Sequence, residues 1–189
     1  TAGNFLQNYP SGHGKGTLYE GGIRIPMLVC GKVVTRKGVR EPALVHVNDI
    51  HSTILELAGI DLPGGIYNSM SFSHLLDGSS GPNKQYNYSE LSSNDVQGWT
   101  IRNSQFKLIH YDSGTEEFFD LLTDSLETDD LILKLTTAQQ TAKVDLETEA
   151  NQIRTSWSCK DNIQNGDEEG IDCGGSHCTS CLTKVNNPK

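Results

Sequence analysis

The sequence predicts a mixed α/β chain: an α/β portion first, then a small antiparallel sheet with a packed C-terminal helix, then a short disulfide-rich tail. Three observations predict it. Apolar residues alternate with polar ones between Gln85 and Leu121, recur at steps of three and four from Leu131 to Trp157, and four of the five cysteines fall in the last 31 residues. A period of two marks half-buried strands and a period of 3.6 marks a helix with one covered face.

The 189 residues suffice for one ordinary domain, or for a domain piece with an appendage. The formal net charge is -9, yet residues 1–45 hold six Lys/Arg against only Glu20 and Glu41, leaving -13 for the remainder. Without a dense Lys/Arg block, nucleic acid is excluded as a partner and a small anionic group fits better. No run approaches the roughly 18 to 20 apolar residues of a membrane span. The opening, Thr1-Ala2-Gly3-Asn4-Phe5, lacks Met and a signal-peptide profile and reads as a loop entered mid-domain, so a piece of a longer protein is expected.

The first element is the loop Gly14-Lys15-Gly16-Thr17-Leu18-Tyr19-Glu20-Gly21-Gly22. It sets a cation among glycines, where backbone and ammonium can approach an anion; locally, an ordinary turn explains it as well. It is not a P-loop, which needs Gly, four residues and then Gly-Lys-Ser/Thr. Ile23 to Val34 reads as a buried strand with Cys30 as a buried thiol, and Pro26 places it at an edge, a bulge or its own start. An ion pair between Arg24 and Glu20 is expected to hold the loop in shape. Next, Asn48 or Asp49 caps a helix on which Ile50, Ile54, Leu57 and Ala58 recur, and Gly59 ends it. Phe72, Leu75 and Leu76 mark a short helical turn.

Tyr86 to Leu121 carries three or four antiparallel strands with turns at Asn103-Ser104 and Asp112-Ser113-Gly114. From Asp112 to Asp130 the chain has eight acids and no base, which reads as a solvated acidic rim; no spacing there gives a known calcium loop. The stripe Leu131, Leu135, Ala138, Ala142, Leu146, Ala150, Ile153 and Trp157 then predicts a helix packed on the sheet. In the tail, Cys159, Cys173, Cys178 and Cys181 surround a segment too poor in apolar residues for a core of its own, so crosslinks must hold it. Two disulfides are the first choice and their pairing is open among three connectivities. Zinc is second, on Cys178-x-x-Cys181 beside His177. An EF-hand loop is ruled out, because alignment on Gly166 puts Ile163 at a ligand position.

Taken whole, Gly14 to Pro26 resembles the Gly-Lys-x-Thr-x-Tyr-Glu-Gly-Gly-x-Arg-x-Pro signature of the sulfatase family at nine positions. Val47 to Ile60 resembles the family's Asp-Ile-x-Pro-Thr-Leu-Leu-x-Leu-Ala-Gly-Ile, with Ser52 in place of proline. Ile101-Arg102-Asn103-Ser104-Gln105-Phe106-Lys107-Leu108-Ile109 and Glu117-Phe118-Phe119-Asp120-Leu121, the latter followed by Asp124 and Glu127, resemble its strand pair and its Glu-Leu-Tyr-Asp-Leu-x-x-Asp-Pro-x-Glu. Cys159 to Cys181 resembles a Cys-rich module appended to exported bacterial proteins. The resemblance implies the C-terminal part of an alkaline-phosphatase-like sulfatase sandwich. It divides the chain into residues 1–82 ending the catalytic α/β domain, 83–157 forming the C-terminal sheet and helix, 158–183 the Cys-rich module and 184–189 a tail.

It further implies a sulfate-ester substrate, possibly a sulfated polysaccharide, a formylglycine nucleophile, a calcium ion and an exported protein. Lys15 falls on the family's sulfate-contacting lysine, and His13 is a second candidate for substrate binding. The formylglycine signature Cys/Ser-x-Pro/Ala-x-Arg is absent from this chain, as is the Asp-Asn metal pair expected before the lysine loop, so the chain is expected to be inactive alone. A phosphatase or phosphodiesterase of the same superfamily, and a non-catalytic protein that binds sulfated polysaccharide, are the alternatives.

Overall fold

The computed structural model describes residues 9–60, 68–93, 97–158, 169–171, 173–174 and 181, with backbone alone for 156–158. The expected antiparallel strands form one meander, β1 (Asn87–Ser92), β2 (Gln97–Arg102), β3 (Phe106–Tyr111) and β4 (Glu116–Asp120), hydrogen-bonded in chain order. Trp99 lies opposite His110, Ile101 opposite Leu108, and Leu108 opposite Phe118. The β2–β3 turn forms because the Asn103 side chain accepts the backbone N–H groups of Gln105 and Phe106 at 2.8 and 2.7 Å, replacing two ladder partners. Alternation in burial persists on the edge strand β1. On β2 the consecutive Trp99, Thr100 and Ile101 are all buried, as are Lys107, Leu108 and Ile109 on β3, so the middle of the sheet is covered on both faces.

The helices are α1 (Glu20–Ile23), α2 (Asp49–Leu57), α3 (Ser73–Asp77) and α4 (Thr137–Ser158). The predicted stripe begins at Leu131, but the helix begins at Thr137. The reason is a reciprocal cap: Thr136 N–H donates to Gln139 Oε1 at 2.9 Å and Gln139 N–H to Thr136 Oγ1 at 3.3 Å, which fixes the first turn there. Leu131 instead joins the sheet, its N–H donating to Phe118 O at 2.8 Å. Along α4 the stripe is buried at Leu146, Ala150 and Ile153 and exposed at Ala138. The side chain of Trp157 lies outside the described residues.

The segment from Arg24 to Val34 corrects the expected strand and buried thiol. It is irregular, with Leu28 99% exposed and Cys30 exposed. Apolar sequence alone does not make a strand; each N–H and C=O needs a ladder partner, and no neighbouring strand among the described residues supplies one. Helix α2 forms as expected and ends at Gly59, whose φ of 70° suits a residue without Cβ. Its cap differs from expectation. Asn48 makes no side-chain capping bond, while Asp49 turns backward, accepting His46 N–H at 2.7 Å, Met70 N–H at 2.8 Å and an ion pair from Lys84 at 2.7 Å. The helix accordingly buries Asp49, Ser52 and Thr53 and exposes Ile50, Ile54 and Leu57.

The chain divides into two compact units, Thr1–Glu147 and Thr148–Lys189. In the second, Cys173 and Cys181 form a disulfide, with Cα atoms 4.8 Å apart. That bond removes Cys181 from the zinc alternative, since a metal ligand must be a free thiolate. Cys159 and Cys178 lie outside the described residues. No helix among the described residues is long and apolar enough to cross a membrane.

Candidate functional site

Lys15 stands on the loop leading into α1, and the loop's shape follows from its small residues. Thr17 Oγ1 donates to Gly14 O at 2.7 Å, closing a turn over the lysine, and Gly16 takes a left-handed φ of 84°. A Cβ on Gly22 would lie 2.3 Å from Thr17 O and 2.7 Å from Gly14 O, so the turn and α1 touch at a distance only glycine permits. Leu18, 1% exposed, packs into the sheet's core with Ile109, Phe119 and Leu121. Tyr19 stacks on His13, ring centroids 3.6 Å apart and nearly parallel, and meets Phe119 edge-on. Burial first, then hydrogen bonding with Glu117 and Tyr111, pushes the Tyr19 hydroxyl far above its ordinary pKa and keeps it neutral.

Behind the loop lies a charge network among residues taken from four parts of the chain. Glu20, 2% exposed, pairs through Oε2 with Arg102 Nη1 at 2.5 Å and through Oε1 with Lys107 Nζ at 3.3 Å. Lys107 is fully buried and also pairs with Glu127 Oε1 at 2.6 Å. Glu127 Oε2 in turn accepts the backbone N–H of Glu20 at 2.5 Å. Burial raises the Glu127 pKa, and the Lys107 charge opposes that rise. Two carboxylates thus face two cations inside the protein.

This network corrects two expectations. Glu20 does not pair with Arg24, which is exposed; its partners come from β2 and β3, because α1 turns the carboxylate toward the sheet. The acid run from Asp112 to Asp130 is not wholly a solvated rim. Glu127 is buried, Asp124 accepts the N–H groups of Thr128 and Asp129, and Asp130 accepts those of Phe118 and Ile132. Arg102, Lys107 and Glu127 stand in the sequence only as positions of the family resemblance, with no role attached to them. The available signal was parity: Lys107 shares a strand face with the core residue Ile109.

The consequence for Lys15 is electrostatic. Glu20, the carboxylate of the loop, is already neutralised by Arg102 and Lys107, whereas the side chains of Lys15 and, just past α1, Arg24 are exposed and make no hydrogen bond or ion pair among the described residues. A cation on a fixed backbone with no internal partner can receive an anion from outside. His13 is half-buried against Tyr19, with Nδ1 buried and without a hydrogen-bond partner. Among the described residues no group of three or more His, Cys, Asp or Glu could hold a metal ion, so the implied calcium finds no donor set there and no step is routed through it.

Residues 12–155 match the family described as N-sulphoglucosamine sulphohydrolase, C-terminal. A curated sulfatase of Formosa agariphila is 29% identical over 170 residues, covering 80% of this chain and 30% of that protein. Arylsulfatase K of Mus musculus is 29% identical over 129 residues, covering 62% and 22%. Among solved structures, a 2-O GAG sulfatase has a TM-score of 0.58 at 19% identity, covering 79% of this chain and 35% of that one. A protein solved in complex with its substrate D-glucosamine-2-N,6-O-disulfate has a TM-score of 0.51 at 20% identity, covering 62% and 25%. The chain therefore spans about a third or less of the length of these proteins. On the match over residues 12–155, the chain belongs to the sulfatase family, as its C-terminal domain.

Proposed function

We propose that the intact polypeptide hydrolyses sulfate esters of carbohydrate, with Lys15 as a catalytic residue that touches the substrate sulfate. The observation that carries the reading is an exposed, unpaired lysine on a loop that lies within the family match and whose carboxylate, Glu20, is satisfied from the sheet. In this reading residues 1–82 close the catalytic α/β domain and 83–157 form its C-terminal subdomain. The formylglycine nucleophile and the calcium ligands belong to the polypeptide outside this chain, which alone is inactive. A compact ammonium facing a sulfate oxygen stabilises the charge that develops as the S–O bond breaks; loss of such a donor costs on the order of 10²–10³ in rate. Arginine is a poor substitute, being a planar fork where a point charge fits.

His13, held by its stack on Tyr19, serves as a second substrate contact beside Lys15. The sugar preference rests on one structural neighbour, whose substrate is a glucosamine disulfate. The disulfide Cys173–Cys181 supports an oxidising compartment and hence export.

The test is an assay of the intact polypeptide, matured to formylglycine, on sulfated monosaccharides, sulfated oligosaccharides and an aryl sulfate. Release of sulfate that falls 10²–10³-fold in Lys15→Ala is the expected result. An intact sequence without a Cys/Ser-x-Pro/Ala-x-Arg string, or a matured protein that releases no sulfate from any of these, overturns the reading.

A further inference from the structure

The quartet Glu20, Arg102, Lys107 and Glu127, with Arg102 half-buried and the other three buried, is the strongest unassigned feature of the molecule. Its four charges balance, and burying charged groups is not an efficient way to gain stability, since hydrophobic residues of similar volume often do as well or better. What an ionic set adds is direction. Glu20 is fixed at its side chain by Arg102 and Lys107 and at its backbone N–H by Glu127, so the start of α1 is held from β2, from β3 and from the segment after β4. Glu127 meets this demand in a left-handed backbone conformation, φ 58°, which a non-glycine residue keeps only where its surroundings enforce it.

The loop is fastened at successive points between this anchor and Lys15. Leu18 is sunk in the sheet's core, Gly22 touches the turn at Gly14 and Thr17, and the turn is closed by the Thr17 hydroxyl. Lys15 and Gly16 at the tip of the turn are left exposed. Each of the four charged residues is also a position within the sequence blocks that carry the family resemblance, although those blocks lie far apart in the chain.

We propose that this quartet is the positioning device of the lysine loop, with Glu20 a positioning residue that acts through Lys15. The proposal rests on the reading that Lys15 contacts sulfate. The variants are Glu20→Gln and the charge-balanced pair Glu20→Gln with Arg102→Met, which leaves Lys107 and Glu127 matched and guards against simple unfolding. Each is made in the intact polypeptide, with and without Lys15→Ala.

Two readouts are taken. Amide hydrogen exchange over residues 14–23 reports the anchoring, and kcat/KM for a sulfated sugar reports its use. Expected are at least about tenfold faster exchange in that loop, with the strands β2 and β3 still protected, and a loss of about 10²-fold in kcat/KM, the scale of a small misplacement at a reacting centre. In the Lys15→Ala background the same changes cost nothing further in rate. Unchanged loop exchange in a folded variant overturns the proposal, and so does an equal rate loss in both backgrounds. A parent protein that releases no sulfate sinks the sulfatase reading, while the exchange arm still decides whether the quartet anchors the loop.

Discussion

Replacing Lys107 by Met tests the energetics of the core most sharply. Lys107 is fully buried, with Glu127 at 2.6 Å and Glu20 at 3.3 Å. Met fills similar volume but removes the charge, so Glu20 keeps Arg102 while Glu127 keeps only the Glu20 N–H. Stranding a buried charge costs about 3–5 kcal/mol, a large share of the roughly 5–15 kcal/mol that holds a domain together. With a urea slope of about 2 kcal/mol/M, the unfolding midpoint should fall by about 2 M. Adding Glu127→Gln removes the stranded charge and should recover more than half of that loss. The pH dependence has a definite sign. The Glu127 pKa is already raised in the folded protein and rises further without Lys107, so the folded state takes up a proton first and the deficit of Lys107→Met shrinks as pH falls through that raised value. Urea unfolding followed by tryptophan fluorescence at pH 8 and pH 5 measures both effects. A midpoint shift below about 0.5 M at pH 8, or a double variant no more stable than the single one, would refute the reasoning.

Gly22→Ala sets a methyl 2.3 Å from a backbone carbonyl and should cost about 1–3 kcal/mol with release of the lysine turn; an unchanged melting temperature contradicts this. The pair Lys143–Glu116 at 2.8 Å ties α4 to β4. Partial burial raises the Glu116 pKa, but Lys143 and His110 outweigh it and lower it below 4.5; partial burial lowers that of Lys143, but Glu116 and Glu147 raise it above 10.5. Its stabilisation is therefore full between these values, lost as pH falls through the lowered Glu116 pKa or rises through the raised Lys143 pKa, and Glu116→Gln should flatten the acid limb of a stability-versus-pH curve. Thr136→Ala breaks the reciprocal cap of α4 and should cost about 1 kcal/mol, read as a lower denaturation midpoint with faster exchange confined to the first helical turn.

The sheet and its turns were legible because their causes are local. Alternation along Tyr88 to Phe119 and the Asn103 side chain act within a few residues of where they are read. The start of α4 was legible too, in Thr136-x-x-Gln139, but the apolar stripe running back to Leu131 concealed it. The segment Ile23 to Val34 has a strand's composition, yet pairing depends on a neighbour that its own residues do not specify. At the site, Lys15 announced itself through its glycines. Its anchoring did not, because Glu20 and Glu127 are 107 positions apart and the nearest opposite charge in sequence, Arg24, is the wrong partner.

Helix α2 turns serine and threonine inward and isoleucine outward, and Leu28 stands 99% exposed on the segment before it. Each large apolar side chain left in water forgoes about 1.5–3 kcal/mol of burial and adds to the apolar surface on which other molecules can adhere. At the bench this chain should bind hydrophobic dyes, cling to chromatography resins and lose solubility as kosmotropic salt is added. Serine at Leu28 and Ile54 would improve its handling without touching the buried charges beneath the lysine loop.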